Sequence, residues 1–205
     1  MSTNKDSLNE IERDILAEIG NIGIGNATTA MSYMINSKLS IDFTKVYALD
    51  FDAVMSLLGG PENLAVGVLS LFEGDVDGML LFVMEKEQAD NLVNMLLQTH
   101  DEIGTYSHIQ SSSLKETGNI IGGSYLVALE SLTGLRLRLL PPQICVDMAG
   151  AILSVPVIEF GQTGDKAFLV ESSFDDELLQ INGHLLMISN AESYQKMCDV
   201  LMPSV

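Results

Sequence analysis

A glutamate and an asparagine three residues apart occur twice in this 205-residue chain. The first pair is Glu18 and Asn21, and the second is Glu116 and Asn119. Residues three apart in a helix share a face, so each pair offers a carboxylate and an amide side by side. Both residue types repeat at one offset, because 116 − 18 = 98 and 119 − 21 = 98.

A carboxylate beside an amide suits the handling of a partner's reactive group. Glutamate can hold a partner's lysine, and asparagine offers two donors and an acceptor without being a nucleophile or a general base. An amide that holds a water in line with an electrophile suits dephosphorylation, where the partner supplies phosphoryl group, metal and leaving group. The alternative is a solvated helix face, where both residue types are common. Repetition favours function, because a duplicated fold requires shared apolar positions and not shared exposed polar ones.

Two long helices are predicted to carry these pairs. Isoleucines recur every three to four residues from Ile11 to Ile22, and the helical pattern resumes over 27–35. Glycines at 20, 23 and 25 interrupt it and predict either close backbone packing or a boundary near 25. The second helix is predicted over 107–132, with Gly134 ending it.

The remaining pattern predicts a similar order of elements in each half. In the first half we predict strands over 41–49, 64–72 and 76–84, helices over 50–58 and 86–98, and a polar linker over 99–106. In the second half we predict a strand at 144, a short helical turn over 147–151, strands over 152–160, 167–172 and 183–189, and a helix over 191–202.

The match between the halves extends beyond the polar pairs. Residues 78–84 and a following helix correspond to residues 183–189 and their helix, at an offset of 183 − 78 = 105. The chain is therefore predicted to be one pseudo-twofold α/β (α+β) domain over 1–205, built from tandem repeats at approximately 7–98 and 107–202. Its central sheet is expected to be antiparallel or mixed, with the two long helices packed on one side.

Composition excludes several classes of partner. Ten basic residues against 28 acidic ones give a formal charge of −18, which argues against nucleic acid and anionic membranes. No apolar run is long enough to span a bilayer, and the polar N-terminus lacks a signal peptide's apolar region, so we expect a cytoplasmic protein without membrane insertion.

The cysteines and histidines indicate no site of their own. Cys145 and Cys198 lie among apolar residues and are predicted to be buried free thiols. The three histidines have no ligand spacing with one another or with the cysteines, so no metal site is expected in this chain.

The sequence around both pairs resembles the CheC family of chemotaxis phosphatases, which is related to CheX and to the flagellar-switch protein FliY. That family carries Asp or Ser, then Glu four residues later, Asn three residues after that, and Pro after 22 more. Asp14 completes the first copy, whereas Ser112 and Pro142 complete the second. The first copy departs from the pattern, because Thr44 stands in the proline's place and leaves that junction less constrained.

The resemblance implies hydrolysis of the aspartyl phosphate of the response regulator CheY. Glu18 or Glu116 is then expected to contact the regulator's active-site lysine, and Asn21 or Asn119 to place the attacking water. Asp14 and Ser112 would help to shape the contact from one turn away. The chain is expected to need no cofactor of its own, with Mg²⁺ held by the regulator.

The resemblance also implies a second partner, the receptor-modifying deamidase CheD. It is expected to dock away from the long helices, on 146–151, where Asp147 is a candidate contact. Asp147 is equally explained as a capping residue of a short helical turn. Two alternatives to the phosphatase follow: an adaptor with little catalysis that binds CheD and regulates receptor adaptation, and a part of the flagellar switch. The absence of an added switch-type domain argues against the latter. The sequence leaves open which site dominates, whether CheD stimulates activity, and the oligomeric state.

Overall fold

The computed structural model describes residues 10–35, 55–56, 58–160, 170–176 and 181–201. The helices are α1 (Glu10–Ile35), α2 (Lys86–Leu97), α3 (His108–Thr133), α4 (Ala149–Phe160) and α5 (Ala191–Leu201). The strands are β1 (Leu64–Gly74), β2 (Gly78–Glu85), β3 (Leu137–Leu139), β4 (Gln143–Met148), β5 (Val170–Asp176) and β6 (Ile181–Ser189). The strand predicted over 41–49 and most of the helix predicted over 50–58 lie outside these residues.

The strands form one six-stranded sheet in the order β3-β1-β2-β6-β5, with β4 also paired to β1. Every pairing is antiparallel, so the fold is mixed α/β around an antiparallel sheet, as predicted. In the central pairing Leu81 lies opposite Leu186, and 186 − 81 = 105 is the offset found in the sequence. A twofold axis through this pair of residues would give this register, although the boundaries of the two repeats stay a prediction.

Both faces of the sheet are buried. On β2, successive side chains alternate between two separate apolar clusters, as the two-residue period of a strand requires. One cluster includes Leu80 and Phe82 and is covered by residues of α1, α2, α3 and α5. The other includes Met79 and Leu81 and is covered by Leu58 and by Ile152 and Leu153 of α4. The sheet is thus the middle of three layers.

The prediction of a strand over 152–160 is wrong, because these residues belong to α4. The predicted helical turn over 147–151 is also wrong at its start, since β4 continues to Met148 and the helix begins at Ala149. A short apolar run with β-branched residues and Pro156 does not distinguish a strand from a buried helix. The second apolar face of the sheet requires a cover, and this helix provides it.

Helices α1 and α3 lie on the same side of the sheet, as predicted, and α1 is continuous through its glycines. A Cβ at Gly118 of α3 would lie 2.5 Å from Cγ1 of Val68 on β1. A Cβ at Gly23 of α1 would lie 2.9 Å from Cα of Tyr125 on α3. Glycine therefore sets the separation of α3 from the sheet at Gly118 and of α1 from α3 at Gly23. Neither these two helices nor the others among the described residues have the apolar length needed to cross a membrane.

The two cysteines differ in exposure. Cys198 on α5 is buried, as predicted, whereas Cys145 is exposed and the prediction for it is wrong. Cys145 lies on β4, which among the described strands pairs with β1 alone and forms an edge of the sheet that they make. Its neighbour Val146 is exposed as well, whereas Ile144 is partly buried against the first apolar cluster, so apolar neighbours in the sequence did not indicate burial of Cys145.

The contact of Gly118 with β1 gives a stability prediction. Gly118→Ala should destabilise the protein by about 1–3 kcal/mol, because Val68 is buried in the sheet and has little room to move. Gly123→Ala in the same helix is the matched control, since a Cβ there meets no heavy atom within 4 Å among the described residues. The control should be neutral or stabilising by up to about 1 kcal/mol. Chemical denaturation measures both, and equal unfolding midpoints would contradict the packing described here.

Candidate active site

Helix α3 has a well-defined start five residues before Ser112. Ser107 caps the helix: its hydroxyl accepts from the Gln110 N–H at 3.4 Å, and the Gln110 side chain accepts from the Ser107 N–H at 2.8 Å. This reciprocal capping box satisfies donors that a helix N-terminus otherwise leaves open. At the other end, Gly134 adopts a left-handed conformation with φ of 70° and donates to the Glu130 carbonyl, which confirms the predicted stop.

The polar segment before α3, which we predicted as a linker, is attached to α2 by a small network. The Tyr106 hydroxyl donates to Asp90 at 2.6 Å, and Lys86 pairs with the same carboxylate at 2.6 Å. Lys86 also donates to the Ile103 carbonyl and lies 4.7 Å from the centre of the Tyr106 ring. Burial, the hydrogen bond to Asp90 and that residue's charge raise the pKa of Tyr106. The network fixes the approach of the chain to Ser107.

The predicted motif residues of α3 lie on its exposed face. Ser112, Glu116 and Asn119 are exposed, while the opposite face of the helix is buried in the first apolar cluster and against β1. The buried residues around the motif are Leu114, Thr117, Gly118 and Ile121. The Thr117 hydroxyl donates to the Ser113 carbonyl at 3.0 Å, so this buried polar group is satisfied within the helix. The packed face therefore fixes which way Glu116 and Asn119 point.

The motif residues of α1 are arranged in the same way. Asp14, Glu18 and Asn21 are all exposed, whereas Gly23 and Ala27 are buried on the side that meets α3 and the core. The structure thus places Glu and Asn on one exposed face in each helix, as their spacing predicts.

None of the six predicted motif side chains on α1 and α3 forms a hydrogen bond or ion pair with another described residue. The two Glu–Asn pairs are likewise not joined to one another by such a bond within the described part of the chain. Each pair therefore remains on its own helix, with its carboxylate and amide available to a partner. Over the same residues, no group of three or more His, Cys, Asp or Glu side chains is placed to hold a metal ion.

Pro142 lies in an irregularity of the sheet beside α3. Strands β3 and β4 both pair with β1, and the residues between them, 140–142, stand opposite only two residues of β1. Because the prolines at 141 and 142 have no N–H to donate, the ladder is interrupted there. A Cβ at Gly122 would lie 3.3 Å from the Leu139 side chain, which brings this part of α3 next to the bulge. Thr44, the corresponding residue of the first copy, lies outside the described residues.

Asp147 lies on β4, opposite Ala65 of β1, and is exposed. Its carboxylate accepts from the Met148 N–H at 2.8 Å, just before α4 begins. It therefore lies on a strand of the sheet, and not on either of the helices that carry the Glu–Asn pairs.

Similarity to known proteins decides the family. CheY-P phosphatase CheC of Bacillus subtilis is 34% identical over 196 residues, which is 93% of this chain and 93% of that protein. The chain belongs to the CheC family of phosphatases. Two family descriptions match parts of it: the CheC-like family over residues 11–42, and Chemotaxis phosphatase CheX over residues 66–159.

Solved structures share the fold of this CheC-family chain. Thermotoga maritima FliY superposes with a TM-score of 0.71 at 22% identity, covering 95% of this chain and 98% of that one. CheX in the CheX–CheY–BeF3–Mg²⁺ complex of Borrelia burgdorferi gives a TM-score of 0.51 at 16% identity, covering 84% and 97%. At these identities the superpositions show the fold alone.

Sequence reasoning missed part of the exposed face of α3. Ile109, Gly123 and Val127 follow the spacing of Ser112, Glu116 and Asn119 and therefore lie on the same side of the helix. Ile109 is 63% exposed and Val127 58%. Continuing the helical spacing beyond the polar pair would have found them, because residues three or four apart in a helix share a face.

The free motif side chains give a second stability prediction. Glu116→Ala and Asn119→Ala should each change the free energy of unfolding by less than about 0.5 kcal/mol, because neither exposed side chain has a partner to lose. Leu114→Ala is the control on the buried side of the same helix and should cost about 2–5 kcal/mol. Thermal unfolding measures all three. A clear destabilisation by either motif variant would assign that residue a structural role.

Proposed function

We propose that this protein hydrolyses the aspartyl phosphate of a CheY-type response regulator. The observation that carries the proposal is the pair of exposed Glu–Asn faces, without side-chain partners among the described residues, in a chain that belongs to the CheC family. The B. subtilis relative is named a CheY-P phosphatase, and a protein of the same fold has been crystallised with CheY, BeF3 and Mg²⁺. The proposed substrate also accounts for the expected cytoplasmic location.

Asparagine is the residue to which we assign the chemistry. In the reaction a water oxygen attacks phosphorus, the bond from phosphorus to the regulator's aspartyl oxygen breaks, and inorganic phosphate leaves. The amide of Asn21 or Asn119 can accept from that water and donate to its surroundings, which fixes the water's direction of approach. Orientation of this kind lowers the barrier without a nucleophile or base from the enzyme. Both residues are exposed, which fits such a role.

Glutamate is assigned the anchoring of the regulator. Glu18 or Glu116 would pair with the regulator's active-site lysine, as the resemblance to the family implies. An exposed ion pair of this kind contributes only about 0–1 kcal/mol of free energy in water. Contact between the two proteins removes water from the pair, so that its geometry then contributes to the specificity of binding. Because Glu and Asn lie on one helical face, the contact between Glu and the regulator's lysine also fixes the position of the neighbouring asparagine.

The metal belongs to the regulator in this proposal. Mg²⁺ on the regulator would neutralise charge on the phosphoryl group, and this chain would supply no cofactor. The residues of this chain would only bind the regulator, orient the attacking water and shield the site from bulk solvent.

We assign the larger share of activity to the α3 site. Pro142 completes the motif there and lies in a bulge next to Gly122 of the same helix. Thr44 replaces the proline in the first copy, and its freer backbone constrains the junction less.

Loss of phosphate from phosphorylated CheY tests the proposal. The double variant Asn21→Ala/Asn119→Ala should lose about 100-fold in kcat/KM, because it removes the water-orienting amide from both sites. Asn119→Ala alone should lose more than half of the activity and Asn21→Ala less than half. Asn26→Ala, an exposed asparagine of α1 off the motif face, is the control and should behave as wild type. Full activity in the double variant would remove the assigned role of asparagine.

A second candidate function is an adaptor that binds CheD and regulates receptor adaptation. Exposed apolar residues on the sheet edge favour this candidate: Leu64, Val146 and Met148 are 53%, 43% and 47% exposed, and Asp147 lies among them. Such a patch on an edge strand is suited to a protein partner.

The two functions separate experimentally. Asp147→Lys should weaken CheD binding about tenfold, by reversing a charge within its proposed contact, and should leave dephosphorylation of CheY unchanged. Asp101→Lys, an equally exposed charge reversal in the segment before α3, is the control. Calorimetric titration with CheD measures the affinity. If wild type binds CheD but shows no phosphatase activity with or without it, the adaptor replaces the enzyme.

A further inference from the structure

Two glycines on the motif faces have no packing role among the described residues. Gly25 on α1 and Gly123 on α3 are at least partly exposed, and a Cβ at either would meet no heavy atom within 4 Å among the described residues. Neither has the positive φ that favours glycine. Alanine would fit both positions in the free protein and would be the better helix former. Nothing within the described residues therefore explains why glycine stands there.

These positions differ from Gly23 and Gly118 of the same two helices. Gly23 and Gly118 are buried, and a Cβ at either would collide with Tyr125 or Val68. Packing accounts for those glycines completely. The presence of glycine at positions 25 and 123 is therefore better explained by a partner that contacts the exposed face.

Both glycines have the same position relative to the proposed water-holding residues. Gly25 is 25 − 21 = 4 residues after Asn21, and Gly123 is 123 − 119 = 4 residues after Asn119. Residues four apart lie one turn away on the same face of a helix. Each glycine thus leaves a gap in the side-chain surface immediately beside the asparagine.

The exposed face of α3 is long enough for a protein partner. Ile109 and Val127 mark its two ends, with the motif and Gly123 between them, and 127 − 109 = 18 residues of helix span about 27 Å. Removing exposed apolar side chains such as these from water favours association with a protein partner. The occupant that fits this face is the phosphorylated receiver domain, because its phosphoryl group must reach Asn119.

We infer that Gly25 and Gly123 are positioning residues at which the surface of the receiver domain comes against the helix backbone. The absence of a side chain lets the receiver approach closely enough for the asparagine one turn away to hold a water at the phosphoryl group. This inference rests on the proposed function and adds to it the place of closest approach.

Affinity and stability measured together test the inference. Gly25→Ala/Gly123→Ala should raise KM for phosphorylated CheY about tenfold and weaken binding of CheY loaded with BeF3 and Mg²⁺ by a similar factor, as an added methyl group does in a tight contact. Gly123→Leu, combined with Gly25→Ala, should weaken binding further. The melting temperature of the double alanine variant should stay the same or rise by about 2–4 °C, because alanine favours the helix.

Gly104→Ala is the matched control, since Gly104 is exposed, equally open to a Cβ and distant in sequence from both motifs. It should leave KM and binding unchanged. Binding as tight as wild type in the double alanine variant would overturn the inference, and so would weaker binding accompanied by a fall in melting temperature. An inactive wild type that still binds loaded CheY, and loses that binding in the glycine variants, would refute the proposed function and uphold only the place of closest approach.

Discussion

Close packing of α3 on β1 at Gly118 is the contact on which the remaining arrangement depends. The helix can lie against Val68 only because position 118 has no side chain. Thr117 and Gly118 then face the sheet, so Glu116 and Asn119 on either side of them point outward. A second glycine contact, between Gly23 and Tyr125, sets α1 against α3 in the same way. The Glu–Asn faces are therefore exposed because close packing at Gly118 and Gly23 buries the other faces of the two helices.

The sheet makes this arrangement possible because both of its faces are covered. The long helices occupy one face, and α4 with Leu58 closes the other. The central pairing sets Leu81 opposite Leu186, so the strands of the two sequence halves share one core. A rigid support of this kind suits an enzyme that contributes orientation alone, since misplacement by about 1 Å can cost 100-fold in rate.

Much of this architecture could be predicted from the sequence, for identifiable reasons. Periodicity and the stop signal at Gly134 gave α3 to within one residue at each end, whereas the capping role of Ser107 was not predicted. The hairpin of β1 and β2 followed from two apolar runs around a polar turn. The apolar run in α4 was misread because its hydrophobicity serves the second face of the sheet, which no local pattern reveals. The exposure of Cys145 likewise depends on β4 being an edge, a property of the whole sheet.

The motif helices likewise combine features that local sequence predicts with features that depend on the whole fold. Spacing alone placed Glu and Asn on one face in each helix, and the structure has them there, exposed and without a partner in the described part of the chain. Spacing could not tell which glycines pack and which lie open, because that depends on the neighbours that the fold brings to each one. Gly23 and Gly25 look equivalent in the sequence, yet only Gly23 meets another helix.

The most direct test is a structure of this protein bound to CheY with BeF3 and Mg²⁺ in place of the phosphoryl group. Our account predicts the receiver seated on the exposed face of α3 or α1, with Glu116 or Glu18 within about 4 Å of a receiver lysine. It also predicts the neighbouring asparagine amide at about 3 Å from a water that faces the BeF3 group. A receiver docked on the β4 edge, with both motif faces left open to solvent, would contradict it.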